Sequence, residues 1–227
     1  MNVVFDTDHV VTAIAWAVLG AVLGWLVRWG SVKLARLEEL EPGHKWWQVW
    51  GPPIASAVVF AAFGFELGLD WLLIWRSIFA LVLVQVIFFD LEHRLILDRV
   101  ILPAMGLALA YSVLTRPASE WWYGLATGIA AGILFAILAL AGALIFRGEA
   151  LGFGDVKFAA FMGLLLGPLP PSPDAITPAI ILALFYGVFL AGAISIAVII
   201  WRRSLKGTIA YGPYLALGTL IVLFQMR

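Results

Sequence analysis

The sequence predicts an all-α integral membrane protein, a polytopic bundle of about eight transmembrane helices in one membrane domain spanning residues 1–227. Three observations lead to this fold class. The chain is 63% hydrophobic and only 12% charged, whereas a soluble domain carries about 25% charged residues. Several apolar runs reach the roughly 20 residues that cross a hydrocarbon core of about 30 Å. Backbone polar groups must be paired inside lipid, so these runs should be helices.

Eight candidate spans follow one another along the chain. They cover residues 10–29, 51–66, 70–89, 99–115, 121–146, 156–169, 175–201 and 208–226. The second and sixth are short, so these helices should start inside the protein or be partly shielded from lipid, whereas the fifth and seventh are long enough to tilt. Glycine pairs four residues apart predict close helix packing at Gly20 and Gly24, Gly128 and Gly132, and Gly163 and Gly167.

The basic residues predict the orientation in the membrane. With eight spans both termini lie on one side, and eleven of the 14 Lys and Arg residues fall on the opposite side. Only Arg76, Arg116 and Arg227 fall on the side of the termini. Because basic residues favour cytoplasmic loops, we expect the termini and the connector Pro168–Pro173 outside. The loops 30–50, 90–98, 147–155 and 202–207 are expected inside. The first apolar run lacks a basic start, so we interpret it as a span rather than a cleavable leader.

A first charged cluster, Asp90-Leu-Glu-His-Arg-Leu-Ile-Leu-Asp98, lies at the cytoplasmic end of the third span. Ionisable residues next to a span are costly, and this makes them functional candidates. Asp90 directly follows the apolar run. Asp98 precedes the fourth span, where its carboxylate is predicted to cap the free N–H groups of the helix. Glu92, His93 and Arg94 are interpreted as a solvated hairpin loop.

A second charged cluster runs from Gly148 to Lys157 and contains Gly152-Phe-Gly-Asp155. Two glycines before Asp155 allow unusual dihedral angles and a close backbone approach. Such a turn places the carboxylate at a helix start, facing a partner rather than lipid. The alternative is an ordinary glycine turn followed by a capping aspartate.

Two carboxylates at the same side and depth of the membrane suggest acid–base hydrolysis. If they meet, they share a proton and titrate as a pair. The ionised one can take a proton from an attacking water, and the protonated one can polarise a peptide carbonyl and help the amine leave. Other chemistries lack a motif. His9, His44 and His93 are scattered, and the chain has no cysteine, no G-x-S-x-G and no G-x-x-x-x-G-K-[ST] loop.

Three stretches carry a family resemblance. In chain order, the first is Asp90–Asp98 with the following Leu102-Pro103. The second is Gly152-Phe-Gly-Asp155-Val-Lys157 with Gly163 and Leu166-Gly167, and the third is Tyr211-Gly-Pro-Tyr-Leu-Ala-Leu-Gly218. They resemble the first-aspartate loop, the second-aspartate motif and the last-span signature of the type IV prepilin peptidases, which are GxGD aspartyl membrane proteases. The resemblance covers about residues 70–227, the predicted peptidase core.

The resemblance implies an aspartic endopeptidase that cuts the short leader of type IV pilin-like precursors. It implies a multi-pass protein of a bacterial or archaeal cytoplasmic membrane with its active site facing the cytoplasm, serving pilus assembly, protein secretion or competence. The implied partners are the precursor and the lipid bilayer, without nucleic acid, cofactor or metal.

The implied catalytic pair is Asp90 and Asp155, supported by Gly152, Gly154, Asp98 and Lys157. Lys157 could steer acidic or carbonyl groups of the substrate, or simply act as an inside anchor.

The chain departs from the family pattern in two places. Ile96-Leu97-Asp98 stands where the family usually has Ile-Pro-Asp. Many bacterial members also carry a cytoplasmic insert with two cysteine pairs that bind zinc, together with an N-methyltransferase activity. Here the loop 30–50 is short and free of cysteine, and Pro53-Ile-Ala-Ser56 lacks the acid of the family's Pro-Leu-Val-Glu-like stretch. Zinc binding in that form is therefore excluded, and methylation is not predicted.

Three alternatives stay open at this point. A presenilin-like or signal-peptide-peptidase-like protease shares the GxGD aspartate, but such proteins usually carry a Pro-Ala-Leu signature where this chain has Gly212-Pro-Tyr-Leu-Ala-Leu. A transporter could use Asp90 and Asp155 as proton or cation sites, but transport carboxylates normally lie near mid-membrane, at broken helices. A non-catalytic scaffold would leave the glycine-flanked Asp155 without explanation.

Overall fold

The computed structural model describes residues 7–146, 151–169, 171, 176–202 and 210–226. These residues form eight α helices: α1 (Thr7–Leu37), α2 (Trp46–Leu67), α3 (Trp71–His93), α4 (Asp98–Thr115), α5 (Trp122–Phe146), α6 (Phe153–Leu166), α7 (Ala179–Arg202) and α8 (Gly212–Gln225). Within the described part of the chain, six of them (α1 to α5 and α7) are long and apolar enough to cross a membrane. The predicted all-α polytopic bundle is confirmed.

The helix bounds correct two predictions about individual spans. The second span is not short, because the tryptophan-rich stretch before it is also helical and α2 reaches 22 residues. The third helix continues through His93, so Glu92 and His93 are helical rather than part of a hairpin loop. Parts of the predicted connections, residues 147–150, 203–207, 170 and 172–173, lie outside the described residues, as does Arg227.

Helices α1 to α3 belong to one compact unit, which ends at His93. Its two first helices approach closely where the sequence predicts close packing. A methyl group on Gly20 would lie 2.6 Å from the Ser56 carbonyl oxygen, and one on Gly24 would lie 2.6 Å from Pro53 Cα. α3 packs on both helices and buries twelve side chains, among them Asp90.

Helices α4 to α8 belong to a second unit, which begins at Arg94. The short helix α6 packs against α4, α5, α7 and α8, and its side chains from Phe158 to Leu166 are almost all buried. A methyl group on Gly163 would lie 2.6 Å from the Thr127 carbonyl oxygen and 2.8 Å from Gly128 Cα. The prediction that the short sixth helix is shielded is confirmed, because its neighbours within this unit cover it.

The C-terminal end of α6 is held by the side chain of the residue that follows α4. Gly167 follows α6 with φ +69°, a left-handed conformation that favours glycine. Arg116, directly after α4, donates from Nη2 to the carbonyl oxygen of Leu166 at 3.2 Å. A positively charged group is favourable at a helix C-terminus. Arg116 and Gly167 therefore fix where α6 ends.

Candidate active site

Asp90 lies in the last turn of α3, where the apolar run ends. The side chains from Leu83 to Ile87, together with Phe89, are buried, and Asp90 itself is only 5% exposed. Keeping a carboxylate this far from water is costly, which is why buried ionisable groups in membrane proteins usually have a function. The predicted location of Asp90 at the end of the third span is confirmed.

Glu92 is buried in an ion pair, contrary to the prediction of a solvated loop. Its Oε2 lies 2.9 Å from Nη1 of Arg28 on α1, and the two side chains are 6% and 7% exposed. Its Oε1 accepts a hydrogen bond from the backbone N–H of Gly43, and Nη2 of Arg28 donates to the Gly43 carbonyl oxygen. The prediction fails because Glu92 faces α1 and the segment between α1 and α2, which cover it.

His93 and Arg94 complete the end of α3. His93 Nε2 lies 3.3 Å from Glu92 Oε1, and its ring stands 4.7 Å from the ring of Phe89. Arg94 follows with φ +55°, an uncommon conformation for a residue with a side chain. This reversal ends α3 and directs the chain towards α4.

Asp155 lies in the first turn of α6, as the sequence predicts. Its Oδ2 accepts a hydrogen bond from the N–H of Gly152 at 3.2 Å, and Asp155 N–H in turn donates to the Gly152 carbonyl oxygen at 3.1 Å. Burial raises the pKa of the Asp155 carboxyl, and the Gly152 hydrogen bond opposes this only in part. Asp155 is therefore both a helix-start acceptor and a carboxyl group that holds its proton more strongly than usual.

The two glycines before Asp155 do different things. Gly152 has φ −72° and ψ 150°, an extended conformation open to any residue, so the predicted unusual dihedral angles are wrong. The predicted close approach is confirmed at Gly154, where a methyl group would lie 3.0 Å from Ile96 Cβ. Gly154 thus lets the start of α6 lie against the connection that leads into α4.

Asp98 does not cap α4, contrary to the prediction. The capping position is Leu97, which makes no side-chain hydrogen bond to the helix, and Asp98 is the first helical residue. Its two carboxylate oxygens each lie 2.6 Å from Nζ of Lys157 on α6. Lys157 Nζ also lies 4.8 Å from the ring centroid of Phe153. The carboxylate is drawn to this cation instead of to its own helix terminus.

The structure therefore groups the predicted residues within each unit. Asp98, Gly152, Gly154, Asp155 and Lys157 lie around the starts of α4 and α6. Asp90 lies in the last turn of α3, in the unit that also contains Arg28 and Gly43. Sequence reasoning missed the partnership of Arg28 with Glu92, although a charge inside the predicted span 10–29 was a usable signal. Among the described residues, no three His, Asp or Glu side chains are grouped closely enough to hold a metal ion.

The fold and these side chains define a multi-pass helical membrane protein with aspartates at two helix ends. Residues 77–196, which include both aspartates, match the model of the type IV leader peptidase family over more than half of the chain, and the chain belongs to this family.

The prepilin leader peptidase/N-methyltransferase of Bacillus subtilis (strain 168) is similar to this chain, with 29% identity over 170 residues. The similar region covers 74% of this chain and 62% of the relative. The chain thus matches under two thirds of the relative's length. No solved structure matches the chain.

Proposed function

We propose that this protein is an aspartic endopeptidase that removes the short leader of type IV pilin-like precursors at the cytoplasmic face of the membrane. The observation that carries the proposal is the buried carboxylate of Asp90, 5% exposed in the last turn of a helix long enough to span the membrane. A soluble loop would not need this costly arrangement. Membership of the type IV leader peptidase family supports the same reaction.

The proposed mechanism uses Asp90 and Asp155 as a pair that shares one proton. The raised pKa of Asp155, caused by burial, favours Asp155 as the partner that holds it. Ionised Asp90 takes a proton from a water molecule as the water oxygen bonds to the peptide carbonyl carbon. Protonated Asp155 polarises the carbonyl oxygen in this step. As the C–N bond breaks, a proton passes to the amine, and the two products leave without a covalent enzyme intermediate.

The proposed substrate has a short leader directly ahead of an apolar helix. That helix would lie among the spans and bring the scissile bond to the depth of the carboxylates. The distribution of basic residues, eleven on one side and three on the other, supports a cytoplasmic location of both aspartates. The proposal covers leader cleavage alone.

The test is cleavage by the purified full chain in liposomes. The probes are precursors from the source organism that carry a short leader ahead of an apolar segment of about 20 residues, and mass spectrometry locates the cut. We expect Asp90→Asn and Asp155→Asn each to lower the rate by at least about a thousandfold, since each removes a group that transfers a proton and the two act as a unit.

Asp70→Asn is the matched control for these variants. Asp70 caps α3 by accepting a hydrogen bond from Leu72 N–H at 2.7 Å, and asparagine caps a helix equally well. This variant should cleave like the wild-type chain. Leader removal that persists in Asp90→Asn or Asp155→Asn would contradict the aspartic mechanism. A wild-type chain that cuts none of the precursors would contradict the proposed function.

A further inference from the structure

The buried ion pair of Arg28 and Glu92 forms a closed polar ring with the backbone of Gly43. Arg28 Nη1 and Glu92 Oε2 are 2.9 Å apart. Glu92 accepts a hydrogen bond from the N–H of Gly43, and Arg28 donates one to the carbonyl oxygen of Gly43. The ring joins α1, the segment between α1 and α2, and the end of α3. We call it the Glu92 clamp.

A second polar contact fixes the same two helices further from the end of α3. Ser31, one turn after Arg28 on α1, donates to Oε1 of Gln85 at 2.8 Å. Gln85 and Glu92 are seven residues apart and therefore lie on the same side of α3, two turns from each other. α1 thus contacts this side of α3 at Gln85 and again at Glu92.

The opposite face of this last turn carries Asp90. Two residues correspond to a rotation of about 200° around a helix axis, so Asp90 points away from the face that the clamp holds. Free helix ends fray because their last carbonyl groups lack intrahelical partners, and Arg94 already leaves the helix with φ +55°. A contact that fixes Glu92 fixes the rotation of the last turn, and with it the direction of the Asp90 carboxylate.

We propose that Glu92, held by Arg28 and Gly43, is a positioning residue that keeps the Asp90 carboxylate in its reactive direction. The inference rests on the proposed function of Asp90. A buried pair is expensive to form, and replacing such pairs with apolar residues often costs no stability. Stability alone therefore does not explain why two charges are buried beside the end of α3.

The first measurement is the cleavage rate of Glu92→Gln. Glutamine keeps an acceptor for Gly43 N–H and removes the charge that holds Arg28. A misplacement of a reacting group by about 1 Å can lower the rate about a hundredfold. We expect kcat to fall by about tenfold to a hundredfold at a temperature below the unfolding transition, with KM within about twofold. The apparent Tm should also fall, because Arg28 stays buried without its counter-charge. The exposed Glu41→Gln, in the same α1–α2 segment, removes one carboxylate as a control and should leave kcat unchanged.

The second measurement needs no peptidase activity. The chain contains no cysteine, so Asp90→Cys introduces a single thiol at the position in question. We expect its labelling by a soluble maleimide to be slow, because position 90 is 5% exposed. Labelling should become about tenfold faster when Glu92→Gln is added and should not change with Glu41→Gln. The double replacement Arg28→Met and Glu92→Leu, which leaves no unpaired buried charge, should label like Glu92→Gln and still fold.

The outcomes separate this inference from the proposed function. Equal labelling of Asp90→Cys with and without Glu92→Gln overturns the inference, whatever the rate of cleavage. A loss of kcat in Glu92→Gln that the double replacement Arg28→Met and Glu92→Leu does not share, or a loss that lies only in KM, overturns it as well. Faster labelling in a chain that cuts no precursor supports the clamp and contradicts the proposed function alone.

Discussion

Asp155 is a residue at which burial and helix-start electrostatics oppose each other. Burial disfavours its ionised form, while the Gly152 N–H favours it. The helix dipole favours it too, by about 0.3–1 kcal/mol at an exposed helix start. Burial is the larger effect, because the net pKa is raised. The glycine motif predicts where Asp155 lies along the chain. It does not predict this balance, since the depth of burial depends on residues from other helices.

The raised pKa predicts how stability responds to a change at this residue. A carboxyl group whose pKa is raised by folding costs no stability at a pH below its unfolded value of about 3.9. Its cost grows as the pH rises from the unfolded to the folded pKa and is constant above the folded pKa. Asp155→Asn removes that cost. Its apparent Tm in detergent should match that of the wild-type chain below about pH 4 and exceed it at pH 8.

Asp98→Asn serves as the comparison for that experiment. Asp98 loses an ion pair with Lys157 when it is neutralised, so this variant should show no gain in Tm at pH 8. A lower Tm for Asp155→Asn than for the wild-type chain at pH 8 would show that burial is not the dominant influence on this carboxyl group.

Among the elements, α6 depends strongly on its neighbours. It has only 14 residues, and isolated helices of this length are marginal in water. Close contact with α5 through Gly128 and Gly163, and the Arg116 hydrogen bond at its C-terminal end, hold it within its unit. The spacing of small residues predicts the first contact. It does not predict the hydrogen bond from Arg116, which lies 50 residues before Leu166. In the sequence, Arg116 looks like any basic residue in a loop outside the membrane.

Gly163→Ala should weaken the packing of α6 on α5. The added methyl group would meet backbone atoms, the Thr127 carbonyl oxygen at 2.6 Å and Gly128 Cα at 2.8 Å, and these can yield only if the helices separate. Overpacking of this kind costs about 1–3 kcal/mol, so the apparent Tm should fall by about 2 °C or more.

Gly106→Ala is the matched control on α4. No atom lies within 4 Å of the added methyl group, and alanine favours a helix over glycine by up to about 1 kcal/mol. Its Tm should be unchanged or higher. Equal Tm values for the two alanine variants would contradict the packing account of Gly163.

On the scale of the whole molecule, composition and run length predict the helical membrane fold and the approximate position of each of the eight described helices, six of which are long and apolar enough to cross a membrane. What they miss are partners that are distant in sequence. Arg28 and Glu92 are separated by 64 residues, and each taken alone resembles a charge at a membrane surface. Only the packing of α1 against α3 turns them into a buried pair. The orientation of the chain stays a prediction from its basic residues.

Single cysteines test that orientation, because the chain has none of its own. Ala118→Cys, in the exposed connection between α4 and α5, should react with an impermeant maleimide in intact cells. Glu41→Cys, in the exposed segment between α1 and α2, should react only after the membrane is opened if this side faces the cytoplasm, as the basic residues predict. The reverse pattern would place both aspartates on the outer side.

The two ion pairs, Arg28–Glu92 and Asp98–Lys157, differ in how far the ions of the surrounding solution reach them. Arg28 and Glu92 are 7% and 6% exposed, whereas Lys157 and Asp98 are 25% and 55% exposed. Dissolved ions screen exposed charges over about 8 Å at physiological ionic strength and affect buried pairs much less. The Asp98–Lys157 pair at the start of α6 should therefore weaken as the salt concentration rises, whereas the Glu92 clamp should change little.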